Sequence, residues 1–240
     1  MYSTPQKLVA EFFGTFAIVF LAAGAVCADQ FLKTAPTPAA RPGLLGTALV
    51  YGLAVGGVIS ALRHISGAHL NPAVTIGFWV TRRMDTFQAL LYWVAQLAGA
   101  SAAASLLMAA IPSDVWQGVN LGTPSLAPSF TRANGMMLEA ALTFLIVWVF
   151  FATAVDEKSA AGKLAGACAG LVVFAGTAVA YPFTGAALNP ARAFGPALAS
   201  GFWSAHLVYW VGPLFGGALA AALYSRLYLP DETGGGARPA

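Results

Sequence analysis

Apolar positions along the 240 residues fall into long blocks separated by short polar segments. Crossing a bilayer takes about 20 mostly apolar residues in a helix. Six blocks meet that length: residues 8–28, 44–62, 87–110, 136–155, 164–181 and 205–227. Two further apolar pieces, 72–80 and 190–199, have about half of it, which fits re-entrant half-helices better than spans. Glycine-rich, irregular runs lead into both. At membrane depth such backbone is tolerated only where it is buried in protein or lines a wet cavity, so the pattern predicts an all-α membrane protein with six transmembrane helices, two half-helices and a water-lined interior. The connectors 33–43, 111–132 and 156–163 are polar and rich in turn residues.

The two half-length pieces begin in near-identical octapeptides, Ser66-Gly67-Ala68-His69-Leu70-Asn71-Pro72-Ala73 and Thr184-Gly185-Ala186-Ala187-Leu188-Asn189-Pro190-Ala191. Asparagine is a favoured helix cap and proline suits the first helical position. Each octapeptide therefore reads as the positive end of a short helix with an amide at its mouth. The repetition extends further. Glu11 and Thr15 open the first block as Glu139 and Thr143 open the fourth, and Tyr92-Trp93-Val94 is answered by Tyr209-Trp210-Val211. Each half holds span, span, half-helix, span. Three crossings is an odd number, so the second half enters from the opposite face, giving inverted repeats. The expected organisation is one channel domain over 1–240: a first repeat 1–110, a connecting loop 111–135, a second repeat 136–229 and a disordered tail 230–240.

Composition narrows the class. Hydrophobic residues make up 58% and charged residues 9%, against about 25% charged in a soluble domain; too few charges remain to cover a water-facing surface. The net charge of +3 rests on few residues, and no basic cluster interleaves with aromatics, so nucleic acid is not expected as a partner. Cys27 and Cys168 sit in apolar runs and read as small hydrophobes rather than a disulfide or metal framework. The first block lacks a clear cleavage site and reads as a retained span. With the N-terminus inside, the cytoplasmic segments carry Lys7, Arg63, Arg82, Arg83, Lys158, Lys163, Arg226 and Arg238, against Lys33, Arg41 and Arg132 outside. That asymmetry predicts both termini in the cytoplasm. Glycines spaced by four (Gly52/Gly56, Gly162/Gly166/Gly170, Gly212/Gly216) predict close helix approach and say nothing of substrate.

Inversion brings the two half-helix N-termini to one point at mid-membrane, flanked by Asn71 and Asn189. Two positive dipole ends repel cations, and amides that take up a water's lone pairs break a proton-relay chain while neutral molecules pass. The carbonyls of Gly67, Ala68, His69, Gly185, Ala186 and Ala187 would line a single-file path; the plainer alternative is a pair of buried loops satisfying their own backbone. Arg192 stands one turn beyond Asn189, and an arginine in an apolar segment marks a site by default, unless it snorkels. Glu11 and Glu139 hold equivalent places and are expected to accept hydrogen bonds from buried loop N–H groups, with a proton relay as the alternative. His69 fits a loop-fixing hydrogen bond better than a metal site with His64, so no metal and no cofactor is expected. Trp79, Trp93, Trp203 and Trp210 suit interfacial belts or helix packing.

These motifs, together with His64-Ile-Ser-Gly-Ala-His-Leu-Asn-Pro-Ala-Val74 and Gly185-Ala-Ala-Leu-Asn-Pro-Ala-Arg-Ala-Phe-Gly195, resemble the aquaporin (major intrinsic protein) family over almost the whole chain. The resemblance implies the right-handed aquaporin-like bundle, a homotetramer with one pore per subunit, and passive conduction of water or small uncharged solutes. It implies an outer filter at Tyr51, Thr177, Ala186 and Arg192, from their offsets to Asn71 and Asn189. Here the chain departs from pattern: strict water channels look to carry Phe and His at the first two places. Glycerol facilitators place Trp and Phe in the filter and Asp after the arginine, where this chain has Ala193. The expectation is a water channel of the cell (plasma or inner) membrane with a wider filter, passing ammonia, urea or hydrogen peroxide as well. The alternative is a glycerol or small-polyol facilitator. A secondary transporter would need ion-binding groups beyond the two glutamates, and an enzyme would need a motif the chain does not carry.

Overall fold

A computed structural model describes residues 2–35 and 40–229. The tail expected to be disordered lies outside the described residues, as does Arg238. The helices are α1 (Thr4–Thr34), α2 (Gly43–Ser66), α3 (Pro72–Val80), α4 (Thr86–Ala110), α5 (Ser113–Gly118), α6 (Arg132–Phe150), α7 (Ala165–Thr184), α8 (Pro190–Ser200) and α9 (Val208–Tyr228). Among the described residues, six stretches are long and apolar enough to cross a membrane, the fourth of them α6 with the π turn Phe151–Val155 that follows it. The half-helices are α3 and α8.

Cap chemistry explains why the spans start earlier than apolarity predicts. Ser3 N donates to Gln6 Oε1 at 2.8 Å, so α1 opens in the polar run ahead of the apolar block. Thr131 Oγ1 accepts from Asn134 N at 3.1 Å, and α6 begins at Arg132 inside the expected connecting loop. That connector also holds α5 and the 3-10 turn Asn120–Gly122, both too short to leave a periodic signature. Cys27 is buried, but Cys168 is half-exposed.

The interior of the bundle is built by backbone approach, as expected where lipid supplies no hydrophobic drive between helices. A Cβ on Gly99 of α4 would lie 2.2 Å from the Phe12 carbonyl oxygen, and one on Gly216 of α9 would lie 2.1 Å from that of Ala140. Phe12 and Ala140 each follow the equivalent glutamate, so both repeats make the same crossing. Gly52 and Gly56 of α2 meet Gly170 and Gly166 of α7 in the same way. Gly162 lies in a short 3-10 turn ahead of α7 and makes no such approach. Large apolar side chains, among them Phe13, Leu53, Leu145 and Leu171, point outward, the arrangement that a lipid solvent favours.

The repeats interlock. α1 packs on α2 and α4, and α6 on α7 and α9, while α3 packs chiefly on α9 of the other repeat and α8 chiefly on α4. Each half-helix is thus held largely by the opposite half, which fixes where the two octapeptides meet.

Candidate functional site: the meeting of two half-helices

Both octapeptides fold alike. α2 ends at Gly67 with φ 88° and α7 at Gly185 with φ 75°, the left-handed closing position that glycine occupies at low cost. Ala68 and Leu70 follow at φ 50° and 53°, Ala186 and Leu188 at 48° and 55°. Non-glycine residues there cost about 1–2 kcal/mol each, so other contacts must hold the loops.

Two carboxylates supply them. Glu11 Oε1 accepts from Ser66 Oγ (2.7 Å) and His69 N (2.9 Å), and its Oε2 from Leu70 N (2.7 Å) and Gln96 Nε2 (2.8 Å). Glu139 Oε1 accepts from Thr184 Oγ1 (2.7 Å) and Ala187 N (3.0 Å), and Oε2 from Leu188 N (2.7 Å). Tyr92 Oη donates to the Ser66 carbonyl at 2.7 Å, and Tyr209 Oη to that of Thr184 at 2.8 Å. The first loop has an extra layer: Gln96 also donates to Thr75 Oγ1 at 3.0 Å, and Thr75 pairs with His69 Nδ1 at 3.2 Å. The positions corresponding to Gln96 and Thr75 in the second repeat are Pro213 and Ala193. His64 sits instead against Tyr2, ring centroids 5.8 Å apart. Among the described residues no three His, Cys, Asp or Glu gather as metal ligands would.

Asn71 and Asn189 cap α3 and α8, their Oδ1 atoms accepting from Ala73 N (2.8 Å) and Ala191 N (2.9 Å). Their amide nitrogens cross between the halves: Asn71 Nδ2 donates to the Leu188 carbonyl and Asn189 Nδ2 to the Leu70 carbonyl, both at 2.9 Å. A carboxamide nitrogen carries two hydrogens. One from each residue ties the loops together, and the other remains for whatever lies at the mouth of the two helices.

Arg192 is only 3% exposed, so it does not snorkel. Its Nη1 donates to the Gly122 carbonyl at 2.9 Å, and its guanidinium carbon lies 6.0 Å from the centroid of the Tyr51 ring. Gly122 ends the run Asn120, Leu121, Gly122, all at positive φ. A cavity of about 470 Å³ lies against this anchor, bordered by Asn120, Thr123, Tyr181 and Gly185. Thr177 and Ala186 are buried, and among the described residues nothing bonds Thr177 Oγ1 or Arg192 Nε.

The Ala187 carbonyl has a partner that was not expected: it accepts from Tyr51 Oη at 2.9 Å, which takes one of its two lone pairs. Sequence reasoning also missed Gly122, Thr75 and Gln96. Only Gln96 carried a signal, an amide inside an apolar block; Gly122 acts through its backbone, which no residue type announces. Of the four tryptophans, Trp93 Nε1 bonds the Pro72 carbonyl at 3.2 Å and its ring lies edge-on to Trp210, whereas Trp79 and Trp203 are exposed.

Comparison with known proteins agrees with this geometry. The Major intrinsic protein family profile matches residues 2–224. Probable aquaporin TIP3-2 of Arabidopsis thaliana is 41% identical over 231 residues, covering 94% of this chain and 85% of its own. Aquaporin TIP2-1 of the same plant is 39% identical over 225 residues, covering 93% and 88%. The X-ray structure of the aquaglyceroporin from Plasmodium falciparum superposes with a TM-score of 0.80 at 26% identity, covering 94% of this chain and 97% of that one. Six apolar helices, two inverted half-helices capped by Asn71 and Asn189, and a family profile spanning nearly the whole chain place it in the major intrinsic protein (aquaporin) family of membrane channels.

Proposed function

We propose that the chain is a passive channel that conducts water, together with small neutral solutes, and excludes protons and other ions. The observation that carries the reading is the pair of crossed amides. Asn71 and Asn189 each spend one N–H on the opposite loop, which fixes the second N–H of each at the tips of α3 and α8. A water at that point gives both lone pairs to fixed donors, so it cannot accept a proton from its neighbour, and two converging helix dipoles oppose any cation. Arg192, tethered to Gly122 in a buried setting, adds a positive barrier toward the outer mouth. Carbonyls of Gly67, Ala68, His69, Gly185, Ala186 and Ala187 serve as acceptors on either side, the last with one lone pair already given to Tyr51 Oη. Glu11 and Glu139 act as braces: each already accepts three or four hydrogen bonds, which leaves little capacity for carrying protons.

The same reading takes 1–110 and 136–229 as the two repeats of one domain, both termini in the cytoplasm, the cell membrane as location and a homotetramer as assembly. Tyr51, Thr177, Ala186 and Arg192 form the outer filter, and Ala193 after the arginine favours water over polyols. Stopped-flow light scattering on reconstituted vesicles tests it. Water flux should exceed that of empty vesicles, glycerol entry should stay slow, and neither should respond to a proton or sodium gradient. Fast glycerol entry replaces the reading with a polyol facilitator, and gradient-dependent flux removes the passive pore.

A further inference from the structure

The two repeats differ on the side turned to lipid, where each half-helix meets the span that follows it. A pocket of about 120 Å³ opens between α3 and α4, walled by Ile76, Trp79, Thr86, Ala89, Leu90 and Trp93. Trp79 Nε1 donates to Thr86 Oγ1 at 3.0 Å, and Trp93 Nε1 to the Pro72 carbonyl at 3.2 Å. Each indole thus spends its one polar hydrogen on the protein and leaves carbon to line the pocket. Trp79 and Leu90 are exposed, so the mouth opens outward. Matched on Asn71 with Asn189 and on Tyr92 with Tyr209, the second repeat holds Phe194, Trp203 and His206 where the first has Ile76, Thr86 and Ala89. There the rings take up the space themselves. His206 lies 4.6 Å from Trp203 and Phe194 5.9 Å from it, centroid to centroid, and Trp210 Nε1 donates to His206 Nε2 at 3.0 Å. Trp79, whose counterpart is Ala197, is the one larger residue of the first repeat, and its bond to Thr86 makes it a wall. The first repeat therefore leaves open to the bilayer a place that the second closes with its own aromatics.

Apolar walls of this kind take hydrocarbon in preference to water; an engineered cavity of about 150 Å³ stays dry and binds benzene. Charge says which hydrocarbon. The turn from Trp79 to Thr86, both walls of the pocket, carries Arg82 and Arg83 against Asp85. Arg82 is exposed and, among the described residues, makes no ion pair. Asp85 Oδ1 already accepts from Gln88 N as the cap of α4. We propose that this is a site for one anionic phospholipid, with an acyl chain in the pocket and the headgroup phosphate on Arg82. A guanidinium and a phosphate make charge-assisted, often bidentate hydrogen bonds. In the orientation proposed above, Arg82 faces the inner leaflet, where anionic lipids attract basic residues. The bound chain lies against Trp93, which holds the first residue of α3, so the lipid braces that half-helix at its root.

The test reconstitutes wild type, Arg82→Gln and Ala89→Phe in vesicles of equal phosphatidylglycerol and phosphatidylcholine with the same acyl chains. Each protein is then extracted into mild detergent, and the lipid it keeps is weighed by mass spectrometry under non-denaturing conditions. The wild type should keep one phosphatidylglycerol per chain, in about fivefold or greater excess over phosphatidylcholine, the worth of one arginine at a membrane surface. Arg82→Gln should lose that preference. Ala89→Phe, which puts a ring where the second repeat has that of His206, should lose the retained lipid altogether. A wild type that emerges bare, or that holds the two lipids equally, overturns the proposal. So does either variant that keeps phosphatidylglycerol as the wild type does. Should Ala89→Phe not fold, Arg82→Gln, altered only at an exposed turn, decides with the wild type. Both leaflets of these vesicles carry both lipids, so the outcome depends neither on orientation nor on what the channel conducts.

Discussion

Replacing Glu139 by glutamine removes one acceptor from beneath the second loop and leaves the shape intact. The carboxylate serves Thr184 Oγ1 and Ala187 N through one oxygen and Leu188 N through the other. Whichever way the new amide turns, its NH2 faces one backbone N–H that is buried and has nowhere else to donate. A lost bond to a charged group costs about 1.5–3 kcal/mol. For a chain of this size that is a fall of roughly 3–12 °C in unfolding midpoint. The loop should survive, because Tyr209 Oη still holds Thr184 and Asn71 Nδ2 still holds Leu188. Glu139→Ala removes all three bonds. The strain of Ala186 and Leu188 at positive φ, about 2–4 kcal/mol together, then acts against a loop with two orphaned N–H groups, and permeability should be lost. Thermal unfolding in detergent, alongside stopped-flow water permeability, reads both effects, with Glu157→Gln, exposed in the 156–163 connector, as a control. A Glu139→Gln protein that melts with the wild type, or a Glu139→Ala protein that conducts normally, would refute the bracing argument.

Asn189→Asp exchanges the donor to the Leu70 carbonyl for an acceptor and places negative charge where two dipoles converge. Dissipation of a pH or sodium gradient across vesicles should accelerate by about tenfold or more, since about 1.4 kcal/mol is small for a unit charge away from water; an unchanged leak contradicts the barrier. Gly216→Ala forces a methyl onto the Ala140 carbonyl and should cost at least about 1–3 kcal/mol, visible as lost monodisperse yield. Gly57→Ala, which meets nothing within 4 Å, should be silent. His206 lies between α8 and α9, its Nε2 accepting from Trp210 Nε1 at 3.0 Å, and burial holds its pKa below the ordinary 6.5. The folded state thus favours the neutral ring. That contribution is complete above pH 6.5 and fades as pH falls through the lower folded value, by about 1 kcal/mol. Wild-type melting should drop over that interval relative to His206→Gln, which keeps an acceptor that does not titrate; parallel curves would discount the bond.

Much of the fold could be read from block length alone, because a bilayer demands about 20 apolar residues and forgives little. α3 begins and ends where the sequence expectation places it, since Asn71 and Pro72 mark its start by cap chemistry. Helix ends outside the apolar blocks were less legible: Thr131 and Ser3 cap helices in segments whose polarity suggests loop. At the site, side chains with an obvious cost in lipid (Glu11, Glu139, Arg192) announced themselves. The Gly122 carbonyl did not, and neither did the Tyr51 bond, which joins residues 136 positions apart. Both depend on where a backbone oxygen points, a property that residue identity does not encode. Tyr51 also illustrates how an offset can locate a position without revealing its contacts.

The crossed bonds from Asn71 to Leu188 and from Asn189 to Leu70 bear on how the molecule is made. A ribosome that has delivered α1 to α4 has produced a Leu70 oxygen whose mate, Asn189, lies 119 positions further along the chain and is not yet made. Until α8 arrives to fill its place beside α4, that loop lacks its partner, and α3 waits longer still for α9, the helix it chiefly rests on. Final closure is therefore a late, cooperative event in biogenesis. Two separately translated fragments, cut within the 111–131 linker, should regain transport only when they meet in one membrane.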